Sequence, residues 1–251
     1  MLNLNYKALA LKQYMPVLLW RYLVSPIGRI VFVTYQFFWA TGWLRSVFKG
    51  TACNAKGEPM PWLSMPAVEY LESLDLNGVD ILELGGGSST LYFARRGANV
   101  ICIECYPKWR AWLEVELAKL PAHNVKIYPS LSMYMAERDA VGTCTNTLPA
   151  FDLLILDDNP HDELLEMCLR KYRIFIQAVL IDNTEVPVHE RGKENYFATY
   201  LQNTTRIDFS GFALGNCIQQ TTSLYYVSDD VCLPKTKSLQ PKIHLHDQEF
   251  K

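Results

Sequence analysis

Val79-Asp-Ile-Leu-Glu-Leu-Gly-Gly-Gly-Ser-Ser-Thr-Leu-Tyr-Phe-Ala-Arg-Arg-Gly-Ala-Asn-Val-Ile-Cys-Ile-Glu104 is the stretch on which the fold of this chain turns. Ile81, Leu82 and Leu84 form a short apolar run suited to a strand buried on both faces, and Gly85, Gly86 and Gly87 stop it abruptly. Ser88 or Ser89 then caps a helix running from Thr90 to Arg96, and Gly97 is placed to end it in a left-handed conformation. A second apolar strand follows at once, from Val100 to Ile103, and terminates in Glu104. The pattern predicts strand, glycine turn, helix, strand.

Three consecutive glycines let backbone approach a ligand closely, and the first free amides of the following helix favour an anionic or electron-rich group. Glu104 comes 19 residues after Gly85, at the end of the neighbouring strand, where a carboxylate accepts hydrogen bonds from both hydroxyls of a ribose. Together these features predict a nucleoside pocket. An ordinary turn whose glycines only relieve crowding is the plainer alternative.

Glu83-Leu-Gly85-Gly-Gly87-Ser-Ser89-Thr90 resembles the first motif of class I S-adenosylmethionine-dependent methyltransferases, and Ile103-Glu104-Cys-Tyr106 resembles their acidic second motif. A longer similarity, through Gly42-Trp-Leu-Arg-Ser46 and Pro61-Trp-Leu-Ser-Met-Pro66, is to a poorly characterised branch of that family and supplies no acceptor. The resemblance implies a Rossmann-like, doubly wound and mainly parallel sheet with an antiparallel terminal pair, and S-adenosylmethionine as cofactor. It implies cofactor contacts at Trp62, Ser64, Glu83, Gly85, Gly86, Gly87, Ser88, Ser89, Glu104, Cys105, Tyr106 and Asp157. Trp62 and Ser64 belong to a segment that in such enzymes closes over the cofactor; Trp62 could equally anchor the linker on the core. A nicotinamide cofactor fits less well, because Thr90 stands where the G-x-G-x-x-G fingerprint needs its third glycine or alanine.

Further strands are predicted at Val125–Tyr128, Phe151–Asp157, Ala178–Asp182, Arg206–Phe209 and Ser223–Val227, with a glycine turn at Gly211. Helices are predicted from Pro107 to Leu120, from His161 to Tyr172 and near Glu194 to Leu201. Alternating strands and helices specify an open α/β sheet whose ligands bind beyond the carboxyl ends of the strands, and those ends carry Glu83, Glu104, Asp157 and Asp182.

Asp157 and the Asp182–Asn183 pair are the candidates for handling the acceptor. Their placement is similar to that of metal-dependent small-molecule O-methyltransferases, which implies a divalent ion such as Mg²⁺ against the acceptor oxygen. Acids at strand ends also cap the next helix, a role open to Asp158 and Asp182. His161 and His189 are alternative bases.

At 251 residues, with 49% hydrophobic and 20% charged side chains, the chain has the composition of a folded α/β domain with an N-terminal addition. We divide it into an apolar, basic extension over 1–50, a methyltransferase-like domain over 51–233 and a polar tail over 234–251. The net charge of −2 hides an asymmetry. Residues 1–50 carry Lys7, Lys12, Arg21, Arg29, Arg45 and Lys49 and no acid, or +6, while the rest carries −8. This balance argues against a broad nucleic-acid-binding surface on the catalytic domain, and a small-molecule acceptor fits better.

The extension is rich in large apolar residues, and its longest uncharged run, Ile30 to Leu44, is 15 residues long. As a helix that run spans about 22 Å against a hydrocarbon core of about 30 Å. A helical cap on the domain, a segment lying in the interface of an anionic membrane, and a true span are the three placements. Seven cysteines with no disulfide-scaffold spacing predict a reducing, cytoplasmic setting, peripheral to a membrane under the second placement. Cys102-x-x-Cys105 is read as core packing at Cys102, and His244-x-His246 as part of the solvated tail.

Overall fold

The computed structural model describes residues 25–140, 150–157, 166–171, 174–185 and 204–226. Its centre is a seven-stranded sheet. In chain order the strands are β1 (Asp80–Leu84), β2 (Asn99–Ile103), β3 (Asn124–Tyr128), β4 (Ala150–Leu156), β5 (Phe175–Ile181), β6 (Thr205–Phe212) and β7 (Gln219–Tyr226). Their order across the sheet is β3-β2-β1-β4-β5-β7-β6. The first five are mutually parallel; β7 runs antiparallel to β5 and to β6. This is the Rossmann-like, doubly wound sheet with the antiparallel pair that the family resemblance implies, and its strand order reverses between β1 and β4.

The helices are α1 (Ser25–Thr34), α2 (Trp43–Lys49), α3 (Met65–Ser73), α4 (Ser88–Arg95), α5 (Pro107–Leu117) and α6 (Leu131–Ala140). Tyr35–Ala40 forms a π-helical stretch between α1 and α2. Side chains alternate across each strand and feed two cores, one per face. Ile81, Val100, Leu153, Ile155, Ala178 and Leu180 meet α3, α4 and α5 through Leu71, Phe93 and Leu113. Leu82, Leu84, Leu154, Leu156, Val179 and Ile181 point to the other face, where Leu131 and Cys168 cover them.

Several expectations change in detail. Gly211 is not a turn residue: it lies within β6 opposite Gln220, and a Cβ there would come within 2.8 Å of Pro66 Cδ, so glycine is used for close approach. The turn falls later, between β6 and β7, with Gly215 at φ +78°. Helix α6 occupies a tract whose pattern predicts no element. Gly97 is left-handed at φ +80°, as the sequence requires. Of the predicted His161–Tyr172 helix, the described part is Glu166 and a π-helical run at Met167–Lys171. The helix near Glu194–Leu201, the candidate bases His161 and His189, Asp158 and the 234–251 tail lie outside the described residues. Among the described residues, no helix is long and apolar enough to cross a membrane.

Candidate functional site

The site is built by the way β1 ends. Gly85 takes φ +93°, a conformation that a side chain strains, and its N–H still completes the ladder to Ile103 O at 3.0 Å. Gly86 then passes so close to β2 that a Cβ would lie 2.3 Å from Cys102 Sγ and 3.1 Å from Leu113 Cδ2. Cys102 is thus a packing residue, fully buried, with its thiol pKa pushed well up by burial, whereas Cys105 is exposed.

Beneath the turn, Gly87 N–H donates to Thr90 Oγ1 at 3.0 Å, and that hydroxyl donates to Glu83 Oε2 at 2.5 Å. Thr90, which breaks the dinucleotide fingerprint, therefore holds the turn. Glu83 is fully buried. Burial drives its pKa up to about 7 against the pull of hydrogen bonds from Ser89 and Thr90, and the neighbouring Glu104 charge adds to the rise. Its Oε1 has no hydrogen-bond partner among the described residues.

Glu104 closes the site from β2. It is 3% exposed, with Oε2 accepting from Gly86 N–H at 3.1 Å and Oε1 from Tyr106 N–H at 2.7 Å. Arg110 Nη1 donates to the Glu104 carbonyl at 2.7 Å. One end of the carboxylate is thereby tied to the glycine turn and the other to the start of α5. Trp109, which sequence reasoning missed, donates from Nε1 to Gly86 O at 2.5 Å and stacks on Trp112 with ring centroids 4.7 Å apart. Its position at the third residue of a proline-initiated helix just after the acid was the available signal.

These groups surround a cavity of about 410 Å³, lined by Trp62, Gly85, Gly86, Gly87, Ser88, Ser89, Glu104, Tyr106, Trp109 and Asp157. That volume lies within the range of about 300–1,000 Å³ usual for small-ligand pockets. The donor set suits a nucleoside sulfonium. A carboxylate lies across from the first amides of α4, and aromatic faces form walls.

The remaining expected site residues go elsewhere. Ser64 is buried, its N–H donating to Thr222 Oγ1 at 3.0 Å and its hydroxyl to Phe209 O at 2.8 Å, so it pins the Trp62 segment to β6 and β7 without lining the cavity. Glu83 and Cys105 do not line it either. Asp182, 2% exposed, accepts from Gln220 Nε2 on both oxygens at 3.0 and 2.9 Å, from Thr222 Oγ1 at 2.6 Å and from Asn183 Nδ2 at 2.6 Å. Burial raises its pKa to about 6 despite those bonds. Asp182 therefore joins β5 to β7 inside the protein, with Asn183 donating to it from the strand end.

A divalent cation does not fit this arrangement. Asp182 spends both oxygens on internal donors, the Asn183 amide nitrogen is turned to Asp182, and no group of three His, Cys, Asp or Glu among the described residues could hold a metal. Of the proposed acceptor-handling residues, Asp157 alone lines the cavity, set at the carboxyl end of β4 by its N–H bond to Leu84 O at 3.0 Å.

No protein-family model matches the sequence, and no curated protein does. Among solved structures, the chain is similar to the bifunctional kinase-methyltransferase WbdD, at 14% identity and TM-score 0.42 over 60% of this chain. It spans only 35% of the length of that protein. It is also similar to the magnesium protoporphyrin IX methyltransferase ChlM of Synechocystis PCC 6803 with bound SAM, at 13% identity, TM-score 0.42 and coverage of 61% and 72% of the two chains. A third likeness is to the 23S rRNA methyltransferase ErmE, at 13% identity, TM-score 0.44 and coverage of 74% and 72%. These three scores fall below 0.5, and the fold assignment stands on strand order and register.

Proposed function

We propose that this chain is an S-adenosylmethionine-dependent methyltransferase acting on a small-molecule, glycosidic or lipid-like acceptor. The observation that carries the reading is Glu104: a nearly buried carboxylate on a cavity wall, tied to the glycine turn by Gly86 N–H and to α5 by Tyr106 N–H. When bound, S-adenosylmethionine supplies a methyl group already activated for in-line displacement, so the chain needs no nucleophile of its own.

The residues of the chain bind, orient and take a proton. Glu104 would accept the ribose hydroxyls, the amides of Ser88 and Ser89 at the start of α4 would meet an electron-rich group, and Trp62, Tyr106 and Trp109 would exclude water with their ring faces. Holding reactants in line is worth about 7–11 kcal/mol. Asp157 is the base for an acceptor whose proton must leave, a role worth about 10²- to 10⁴-fold. Residues 1–50 are read as a peripheral membrane contact, taken up below.

Calorimetry with S-adenosylhomocysteine and NAD, side by side, tests the class. Micromolar binding of S-adenosylhomocysteine is expected, with Glu104→Ala weakening it at least ~10-fold, since each hydrogen bond to a charged group is worth about 1.5–3 kcal/mol. Tight NAD binding with no S-adenosylhomocysteine binding would replace the reading by an oxidoreductase. Binding of neither would leave a non-catalytic module with a degenerate pocket.

A further inference from the structure

Helix α1 has no buried residue. Ile30, Val31, Phe32 and Val33 are 66, 62, 56 and 62% exposed, and four consecutive positions at 3.6 residues per turn face almost every direction around the axis. A helix that docks on protein needs one apolar stripe and keeps its other side polar. Ser25 and Arg29, one turn apart, keep a narrow polar side on α1, so a basic stripe is paired with a broad exposed apolar face, the form that lies in a membrane interface. Trp39, 61% exposed, continues the same surface after the helix. The segment that presents it carries six basic residues and no acid over 1–50, which selects an anionic surface over a neutral one.

The place where this segment joins the domain decides what it faces. Phe37 packs edge-on against Phe212 at 5.9 Å, and Trp43 Nε1 donates to Asn216 O at 2.9 Å. The first contact is with the last residue of β6 and the second with the turn that follows it. Since Ile181, the last residue of β5, sits opposite Ser223, the start of β7 and its turn project beyond the carboxyl ends of the parallel strands. The cavity opens at those same ends. Trp62, 41% exposed on the cavity wall, is tied to this corner through its carbonyl, which accepts from Gln220 Nε2 at 3.4 Å. Ile218 stands 69% exposed on the turn itself. Apolar helix, exposed turn and cavity mouth thus share one end of the sheet.

We propose that α1 immerses in an anionic lipid bilayer and holds the cavity mouth at its surface, so that the acceptor is an amphiphile resident in the membrane, with its reactive hydroxyl or amine at headgroup depth. The acceptor assignment rests on the methyltransferase reading above; the docking does not. The helix acts as an interfacial anchor, for which its ten residues suffice, and crosses nothing.

The test uses the full chain. Flotation with phosphatidylcholine vesicles, with and without about one-third phosphatidylglycerol, is compared for the wild type and the double variant Ile30→Asp, Val31→Asp. Both positions are exposed and lack packing to lose, and near-ultraviolet circular dichroism checks the fold. Methyl-labelled S-adenosylmethionine is then incubated with anionic vesicles doped with a total polar-lipid extract, and label is read in the organic phase.

The expected result is flotation roughly tenfold stronger with anionic vesicles and abolished in the variant, equal S-adenosylhomocysteine affinity in both proteins, and organic-phase label that drops with flotation. No flotation, flotation unchanged in the variant, or a vesicle-free dimer that the variant dissolves would overturn the docking. Label confined to water-soluble products, or absent, would overturn the acceptor class. Loss of S-adenosylhomocysteine binding with flotation intact would remove the acceptor class along with the methyltransferase reading, and leave the docking established.

Discussion

At the scale of single residues, the three glycines are not equivalent. Gly85 is needed for its positive φ and Gly86 for lack of a Cβ against β2, whereas Gly87 is extended and a Cβ there meets Trp109 only at ordinary contact, 3.6 Å or more. Gly86→Ala should therefore destabilise by about 1–3 kcal/mol through overpacking, and Cys102→Ala should recover much of that loss because it removes the sulfur in the way. Chemical denaturation of the two single variants and the double measures the coupling; strict additivity would refute the packing account. The run of glycines and the acid at 104 are both visible in sequence. That Thr90 relays between Gly87 and Glu83 is not, because the relay needs the helix start folded back over the strand end.

Among elements, the segment from Pro61 to Pro66 behaves as a strap laid across β6 and β7. Ser64 pairs with Ala213 as an isolated bridge and donates to Thr222 Oγ1, which itself donates to Asp182. Thr222→Val keeps the shape and removes both bonds, leaving the Ser64 N–H without its acceptor and Asp182 Oδ1 with Gln220 as its remaining donor. A loss of about 2–4 kcal/mol is expected, with faster amide exchange over residues 60–66. A change under about 0.5 kcal/mol would mean that the strap is held by packing alone. The family resemblance assigned Ser64 to the cofactor, as part of a segment that closes over it, and Asp182 to the acceptor, as an acid at a strand end. Only the antiparallel return of β7, which sends Gln220 and Thr222 past the end of β5, reveals that they hold each other's element in place.

For the molecule as a whole, two buried carboxyls tie stability to pH. Glu83 has its pKa raised from 4.5 to about 7, and Asp182 from 3.8 to about 6, burial being the main cause in each. A proton held more tightly in the folded state contributes stability that is whole below the unfolded pKa and is lost as pH rises through the folded one. Stability from these groups should accordingly fall between about pH 4 and 7. Glu83→Gln cannot charge, so its unfolding free energy should gain on the wild type by on the order of 3 kcal/mol across that window. Parallel urea-denaturation profiles of the two proteins would refute it.

The sequence by itself determined the succession of the seven strands, the glycine turn with its helix α4, the acid at the end of β2 and the charge asymmetry of residues 1–50. These are local matters of periodicity, turn chemistry and composition, written in neighbouring residues. The tertiary structure alone decided that Trp109 lines the cavity, that Asp182 and Ser64 bond to β6 and β7, and that the N-terminal segment joins the domain at the cavity end. Each depends on which distant segments the sheet brings side by side, and hydrogen-bond partners 40 to 158 residues apart leave no local signature.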